Sequence, residues 1–226
     1  FAGRDEPWGG FVDVKLNLPE VLERQLARSP EGEVLLSSVT DPYQPAERVH
    51  RLTRRALELL AECPSLRVSV LTKSDLVLRD LDVFRTMPSV EVGLTVTCDD
   101  DAVAAVVEPG APPPSTRLAA IPALARAGVN SWAFLGPILP GISDSPAALR
   151  RLMERLASAG ASRVLVDRFN PYPSAAARLR TAYRRSFPAA LEALRRACGD
   201  PSYADELRMT AVSAAHTAGI ATEILF

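Results

Sequence analysis

Short apolar runs alternate with amphipathic segments along most of this chain. The apolar runs predict strands near residues 34–37, 67–71, 90–97, 130–135 and 163–167. A segment with helical spacing of apolar residues follows each of them. Continuous apolar strands are typical of parallel sheets covered by helices. The strands recur at intervals of roughly 23–40 residues, which fits βα units joined by right-handed crossovers.

The helical segments can be placed from their periodicity and from their proline and glycine boundaries. Residues 46–62 are predicted as one helix, with Val49, Leu52, Leu57 and Leu60 facing the core and Arg48, Arg51, Arg54 and Arg55 facing solvent. Further helices are predicted at 76–87, 101–107, 115–127, 146–160, 174–198 (broken at Pro188) and 202–218, and a last short strand at 221–226.

Length limits the architecture. The chain has 226 residues, 47% of them hydrophobic and 23% charged, which suits one α/β domain with a sizeable core. A complete eight-fold barrel needs about 250 residues. A partial barrel or a doubly wound sheet therefore remains. No Gly-x-Gly-x-x-Gly follows a strand and no Walker loop is present, so neither nucleotide fingerprint is found.

Charge is nearly balanced overall but not locally. The net charge is −1, whereas residues 145–199 carry eleven arginines and three acids. This segment is either a set of solvated helix faces or a surface for an anionic ligand.

The odd, scattered cysteines Cys63, Cys98 and Cys198 argue against a disulfide framework and for a reducing compartment. No apolar run approaches about 20 residues, so no membrane span is predicted. We therefore expect a cytoplasmic location.

Four of the five predicted strands end in polar residues. The ends are Ser37, Ser38, Thr40 and Asp41; Thr72, Lys73 and Ser74; Thr95, Thr97, Cys98 and Asp99; and Asp167, Arg168 and Asn170. In a parallel α/β fold these ends meet at one mouth. Lys73 is expected to pair a ligand carboxylate or phosphate there. The alternative is that Lys73 pairs Asp75 or Asp80.

Few residues suggest classical catalysis. His50 and His216, the only histidines, are predicted to be surface or packing residues, and no catalytic triad or metal-spaced Cys/His cluster can be built. Cys98, Tyr43 and Tyr172 lie after strands, so each is a candidate catalytic residue as well as a candidate for simple packing.

Several motifs in order resemble one enzyme family. The motifs are VDVKLN (12–17), VTDPYQPAE with LTRRALELL (39–60), VLTKSDLVLRD (70–80), VGLTVT (92–97), EPGAPPPSTRLAAIPALARAGV (108–129) and GPILPGISD (136–144). Together they resemble radical S-adenosylmethionine enzymes of the spore photoproduct lyase-like ("DNA repair photolyase") group. The resemblance covers about residues 8–168.

This resemblance implies a partial (β/α)6 TIM-type barrel that uses S-adenosylmethionine and a 4Fe–4S cluster to form a 5′-deoxyadenosyl radical. It also implies an electron donor such as flavodoxin or ferredoxin. By resemblance, the S-adenosylmethionine site would include Ser38, Thr40, Asp41, Lys73, Ser74, Thr95 and Thr97, with Ile138 near the adenine.

Two departures qualify the resemblance. The cluster motif Cys-x-x-x-Cys-x-x-Cys is absent, and we expect it, with the family's first strand, ahead of Phe1. Ser38 stands where the lyases carry a hydrogen-donating cysteine. A serine O–H bond is too strong to donate a hydrogen atom readily, so a substrate other than spore photoproduct is expected.

The sequence therefore predicts a barrel at 1–173 and a helical extension at 174–226 that encodes substrate choice. The leading hypothesis is a radical enzyme acting on a small-molecule or nucleotide-like substrate. One alternative is a DNA-repair or nucleic-acid-binding protein that uses residues 145–199. The other is a cluster-free barrel that binds a metabolite or serves as a scaffold.

Overall fold

A single curled sheet organises the molecule. The computed structural model describes residues 10–29, 31–36 and 39–226. Six parallel strands follow one another in chain order: β1 (Gly32–Leu36), β2 (Leu66–Thr72), β3 (Val90–Val96), β4 (Asn130–Ile138), β5 (Val164–Arg168) and β6 (Thr222–Ile224). The sheet and its helices form a half-barrel. The predicted partial TIM-type barrel is confirmed.

Helices connect and cover the strands. They are α1 (Leu18–Leu26), α2 (Glu47–His50), α3 (Leu52–Ala61), α4 (Leu81–Phe84), α5 (Asp101–Val107), α6 (Pro114–Arg126), α7 (Pro146–Ala159), α8 (Pro173–Ser186), α9 (Leu191–Gly199) and α10 (Ser202–Ala218). Short 3-10 turns occupy Asp75–Asp80 and Pro188–Ala190. No helix in the described ranges is both long and apolar enough to cross a membrane.

The strand count differs from the five strand–helix units read from the apolar runs. The sixth described strand is β6, in the segment predicted as a last short strand, and it pairs in parallel with β5. The strand expected ahead of Phe1 stays a prediction. Within the described residues, the outer edge of β1 has no strand partner.

The helix predicted at 46–62 is two helices. Arg51 adopts a left-handed conformation with φ 51°, which separates α2 from α3. Val49 is consequently 78% exposed, not a core residue. Arg54 was predicted to face solvent, but it turns toward Asp80 and Asp82 and forms ion pairs with both. Periodicity missed the break because arginine is not a helix-breaking residue.

The second predicted helix, at 76–87, is also shorter than its pattern suggested. Residues Asp75–Asp80 form a 3-10 turn, and the α-helix that follows it, α4, ends at Phe84. The Ser74 hydroxyl accepts the Leu76 amide proton at the start of this turn. The tight turn brings Asp80 into the core, where it is fully buried.

The main core lies between the sheet and the outer helices. Alternate residues of β2 to β5 point into it, and all are fully or almost fully buried: Val68, Val70, Val92, Leu94, Val96, Ala133, Leu135, Val164 and Val166. The residues between them line the opposite, concave face of the half-barrel.

The C-terminal segment contributes to both the sheet and the core. α10 packs on α7, and its Leu207 and Ala211 belong to the main core. α8 packs with Cys98, Leu139 and Phe169 in a second apolar cluster, so it lies over the carboxyl ends of β3, β4 and β5. The domain boundary at 173/174 stays a prediction.

Candidate functional site

Side chains on the concave face form successive rows across neighbouring strands. Leu71 pairs with Gly93 and Gly93 with Trp132, which defines one row. Continuing the register toward the carboxyl ends gives a row of Lys73, Thr95, Phe134 and Leu165, and then a row of Thr97, Gly136 and Asp167. Neighbouring strands lie about 4.8 Å apart, so these two rows form one surface at the mouth.

A tryptophan row separates the mouth from the amino ends of the strands. The Trp132 indole lies over Gly93, where an added Cβ would come within 2.5 Å of it. The Arg163 guanidinium stacks 5.1 Å from the indole centroid. It donates two hydrogen bonds to Glu91, at 2.7 and 2.8 Å. The mouth is therefore built on a rigid layer.

Lys73 has a partner that the sequence did not indicate. Its ammonium lies 2.6 Å from Glu108, the residue after α5. The opposite oxygen of Glu108 accepts from Arg117 of α6 at 2.8 Å. The suggested pairing of Lys73 with Asp75 or Asp80 is wrong, because Asp80 is engaged by two arginines on the other side of β2.

Asp41 fixes the backbone of Lys73. Its Oδ2 accepts the Lys73 backbone amide at 2.7 Å. Its Oδ1 accepts the Thr72 hydroxyl at 2.6 Å and the Tyr43 amide at 2.8 Å. Asp41 thus ties the loop after β1 to the end of β2. Thr40 beside it is exposed.

The remaining predicted residues of this loop region have structural partners or lie elsewhere. The Thr72 hydroxyl also accepts the Ser74 amide, and Ser74 itself caps the following turn. Ser38 lies outside the described residues. Ile138 is fully buried in the main core.

The last row of the mouth contains an unsatisfied polar group. The Thr97 hydroxyl is buried and has no hydrogen-bond partner among the described residues. Beside it, Gly136 is packed closely against the Phe134 ring, since an added Cβ would lie 2.7 Å from that ring. An added Cβ would also lie 3.1 Å from the Asp167 Cβ. These residues form a small polar cradle on three adjacent strands.

Asp167 is a carboxylate without an ion pair among the described residues. Burial raises its pKa, and the neighbouring Arg168 amide and guanidinium oppose only part of this effect. A half-buried carboxyl of this kind accepts hydrogen bonds readily from a ligand hydroxyl or amino group.

A buried ionic network under the loop after β1 was not recognised from the sequence. Asp80 accepts from the Tyr43 hydroxyl at 3.0 Å and pairs with Arg54 and Arg79. Glu47 accepts from Arg79 and from the Thr53 amide. Burial first, and Asp80 second, raise the pKa of Tyr43. The signal was present, because these residues belong to the two motifs at 39–60 and 70–80.

The three candidate catalytic residues occupy different environments. Tyr43 is buried with its hydroxyl bound to Asp80, so its position fits the packing alternative. Cys98 is buried in the apolar cluster under α8, and burial raises the pKa of its thiol. Tyr172 is exposed at the start of α8. No described contact joins these three residues in one constellation.

The described residues do not fit an iron–sulfur cluster. Cys63, Cys98 and Cys198 are separate free thiols. No group of three His, Cys, Asp or Glu side chains in the described ranges could hold a metal ion. An iron–sulfur cluster is held by cysteine thiolates that converge on one site.

Known proteins are similar to this chain in sequence over part of their length, and others are similar in fold. No protein-family model matches the chain. An uncharacterised protein of Methanocaldococcus jannaschii is 39% identical over 137 residues, covering 61% of this chain and 51% of the relative. A radical SAM Nalpha-GlyT isomerase of Pseudomonas phage M6 is 27% identical over 158 residues, covering 70% of this chain and 32% of that protein. The chain thus spans about half the length of the first relative.

The solved structures decide the fold. Spore photoproduct lyase complexed with dinucleoside spore photoproduct superposes with a TM-score of 0.68 at 17% identity, covering 95% of this chain and 67% of the lyase. The chain has the fold of spore photoproduct lyase. Streptococcus suis SuiB bound to S-adenosylmethionine has the same fold, with a TM-score of 0.62 at 11% identity over 96% of this chain and 45% of SuiB. The resemblance drawn from the motifs is confirmed at this level.

Proposed function

We propose that this radical S-adenosylmethionine fold binds S-adenosylmethionine at the carboxyl ends of its strands and acts as a radical enzyme on a small-molecule or nucleotide-like substrate. One observation carries the proposal: the Lys73 ammonium and the Thr97–Gly136–Asp167 cradle lie in adjacent rows of the same mouth. One end offers a cation, and the other offers neutral and acidic hydrogen-bonding groups. A molecule with a carboxylate at one end and a nucleoside at the other matches both.

The residues divide between the two ends of the ligand. Lys73 binds the methionine carboxylate, since a lysine ammonium is a compact cation with three N–H donors. The Thr97 hydroxyl and the Asp167 carboxylate bind hydroxyl or amino groups of the nucleoside. Asp41 orients this site rather than filling it, because three protein donors already occupy its oxygens. Thr95 lies between the two ends.

S-adenosylmethionine held at this mouth would, on accepting one electron from the expected cluster, break its sulfur–C5′ bond to give methionine and a 5′-deoxyadenosyl radical for hydrogen abstraction. The residues of this chain hold and orient the cofactor and limit water at the mouth through α8. The 4Fe–4S cluster and its electron donor stay predictions, with the cluster ligands in the expected motif ahead of Phe1. Because Ser38 stands where the lyases carry a hydrogen-donating cysteine, we propose a substrate other than spore photoproduct.

Equilibrium binding tests this proposal first. S-adenosylmethionine should bind the purified chain, and Lys73→Gln should weaken binding about tenfold or more, since a charge-assisted hydrogen bond contributes about 1.5–3 kcal/mol. Lys15, the chain's other lysine, is exposed, so Lys15→Gln is the matched control. Equal affinity of both variants and the wild type would contradict the assignment.

Anaerobic reconstitution tests the radical chemistry. With iron, sulfide and a reductant, the protein that includes any residues ahead of Phe1 should form 5′-deoxyadenosine. A gene without three cysteines in the expected spacing ahead of Phe1, together with no 5′-deoxyadenosine, would favour the cluster-free metabolite-binding alternative.

A second candidate function is nucleic-acid binding, and the arginines of α8 favour it. Arg150, Arg195 and Arg196 of the basic segment pair with acids. In contrast, α8 carries four exposed arginines with no acidic partner within the described residues: Arg178, Arg180, Arg184 and Arg185. Because α8 lies over the mouth, we propose that these cations bind phosphates beside the ligand site.

Salt dependence separates this candidate from a solvated helix face. Binding of a single-stranded oligonucleotide should weaken steeply with salt, and changing the four α8 arginines to glutamine should flatten that dependence. Arg150→Gln with Arg195→Gln is the matched control, since both side chains are exposed but paired. No binding at low salt would exclude this function.

A further inference from the structure

Glu108 forms a bridge between two cations at the mouth, defined here as the Lys73–Glu108–Arg117 bridge. Its two oxygens are 2.6 Å from the Lys73 ammonium and 2.8 Å from the Arg117 guanidinium. The Glu108 side chain is 9% exposed, that of Arg117 is 0% and that of Lys73 is 33%. Of the three side chains, therefore, only that of Lys73 is exposed to solvent to any extent.

Arg117 anchors the bridge from inside the protein. Besides Glu108, its guanidinium donates to the Pro112 carbonyl at 2.8 Å and to the Thr95 carbonyl at 3.2 Å. A buried guanidinium needs such partners, because an unpaired buried charge is strongly destabilising. The bond to Thr95 fixes the bridge to the end of β3, the strand that also carries Thr97.

The bridge has one net positive charge. Burial alone would raise the pKa of Glu108, but Lys73 and Arg117 outweigh burial and lower it. The carboxylate is therefore ionised between two cations. Lys73 uses one of its three N–H donors on Glu108, which leaves donors for a ligand. The net charge matches one ligand carboxylate.

We propose that Glu108 and Arg117 are positioning residues that hold the Lys73 ammonium ready for the carboxylate of an α-amino-acid group, and so select ligands that carry this group. The inference rests on the proposed binding of S-adenosylmethionine. A free lysine side chain samples many rotamers, and ordering it on binding costs affinity. Glu108 removes this cost at the ammonium, while Asp41 fixes the Lys73 backbone amide.

Glu108→Asp is the decisive variant, because it keeps the charge and shortens the reach by one methylene. The probes are S-adenosylmethionine and decarboxylated S-adenosylmethionine, which lacks only the carboxylate. The wild type should prefer the first probe by about tenfold or more. Glu108→Asp should weaken S-adenosylmethionine binding about tenfold and leave the binding of the decarboxylated probe unchanged.

A double-mutant cycle shows whether Glu108 acts through Lys73. In a Lys73→Gln background, the effect of Glu108→Asp on S-adenosylmethionine affinity should disappear. Equal weakening of both probes by Glu108→Asp, or an effect that persists without Lys73, would mean a general structural role and would overturn the inference. Glu58→Asp, at a surface pair with Arg54, is the control for shortening an ion-paired glutamate.

The outcomes separate this inference from the function it rests on. If the wild type binds both probes equally, the role of Lys73 in the proposed function fails. If the wild type discriminates but Glu108→Asp discriminates equally well, the function stands and the positioning role fails. Should Glu108→Asp not fold, Glu108→Gln supplies the measurement, because it keeps the reach of the side chain and removes its charge. Weaker binding of S-adenosylmethionine with unchanged binding of the decarboxylated probe supports the inference; equal effects on the two probes, or no effect on either, overturn it.

Discussion

The Asp41 carboxylate accepts the backbone amide of Lys73 at 2.7 Å and so connects two loops that are 32 residues apart in sequence. The Asp41 oxygens accept three hydrogen bonds. In Asp41→Asn, the side-chain NH₂ group would replace one of these oxygens and would face an N–H or O–H donor of the protein. Asp41→Asn should lower the free energy of unfolding by about 1–3 kcal/mol, as measured by urea denaturation. Asp205→Asn, at an exposed position, should change it by less than about 0.5 kcal/mol; equal effects would contradict the bracing role.

Two aspartates that share Arg54 should differ widely in their contribution to stability. Asp80 is fully buried and also pairs with Arg79, whereas Asp82 is 62% exposed. Asp80→Ala should cost about 1–3 kcal/mol, because it leaves the buried Tyr43 hydroxyl without its acceptor and removes one partner from each of Arg54 and Arg79. Asp82→Ala should cost much less, because solvent screens its exposed ion pair with Arg54. Thermal and urea unfolding of both variants measure the difference, and similar losses would refute the buried network.

Thr97→Val should stabilise the protein while weakening ligand binding. The buried hydroxyl has no partner among the described residues, so removing it should raise the free energy of unfolding by about 1 kcal/mol. Ser131 carries a second such hydroxyl on the helix-facing side. Ser131→Ala should leave S-adenosylmethionine affinity unchanged. Unaltered affinity in Thr97→Val would remove Thr97 from the site.

Gly136→Ala should reduce ligand binding through crowding. The added Cβ would meet the Phe134 ring at 2.7 Å, so the ring must move into the mouth. S-adenosylmethionine affinity should fall about tenfold, in line with a cost of about 1–3 kcal/mol for overpacking. Adding Phe134→Leu should restore part of it. A loss that the second substitution does not relieve would point to another cause.

Glu91 should make stability depend on pH in the acid range. Hydrogen bonds from Arg163 lower its pKa from the ordinary value of 4.5. Because the folded state binds this proton less tightly, the stabilisation is complete above about pH 4.5 and is lost as the pH falls through the lower folded pKa. Glu91→Gln should cost about 1–2 kcal/mol at neutral pH. In urea denaturation the difference from wild type should shrink below about pH 4; a constant difference would contradict this origin.

The sequence by itself determined the parallel strands and the polar ends that form the mouth. The apolar runs sufficed because strands covered by helices need continuous apolar residues, and parallel strands must end on one side. The motifs also indicated the fold, and the ligand-binding role of Lys73 stays a prediction. The role of Ser38 stays a prediction, since this residue lies outside the described residues. The cluster motif also stays a prediction, since it is expected ahead of Phe1.

Only the tertiary structure decided which charges meet. Glu108 follows Lys73 by 35 residues and Arg117 lies on the next helix, so their contact depends on how two crossovers pack. Arg54 showed the same limit. The helical periodicity of residues 46–62 predicted that its side chain faces solvent, but the left-handed residue Arg51 changes the helix direction and Arg54 pairs with Asp80. Hydrophobic periodicity records which face of an element is buried. It does not record ion pairs between distant elements, whose geometry is set when the sheet curls and the helices pack on it.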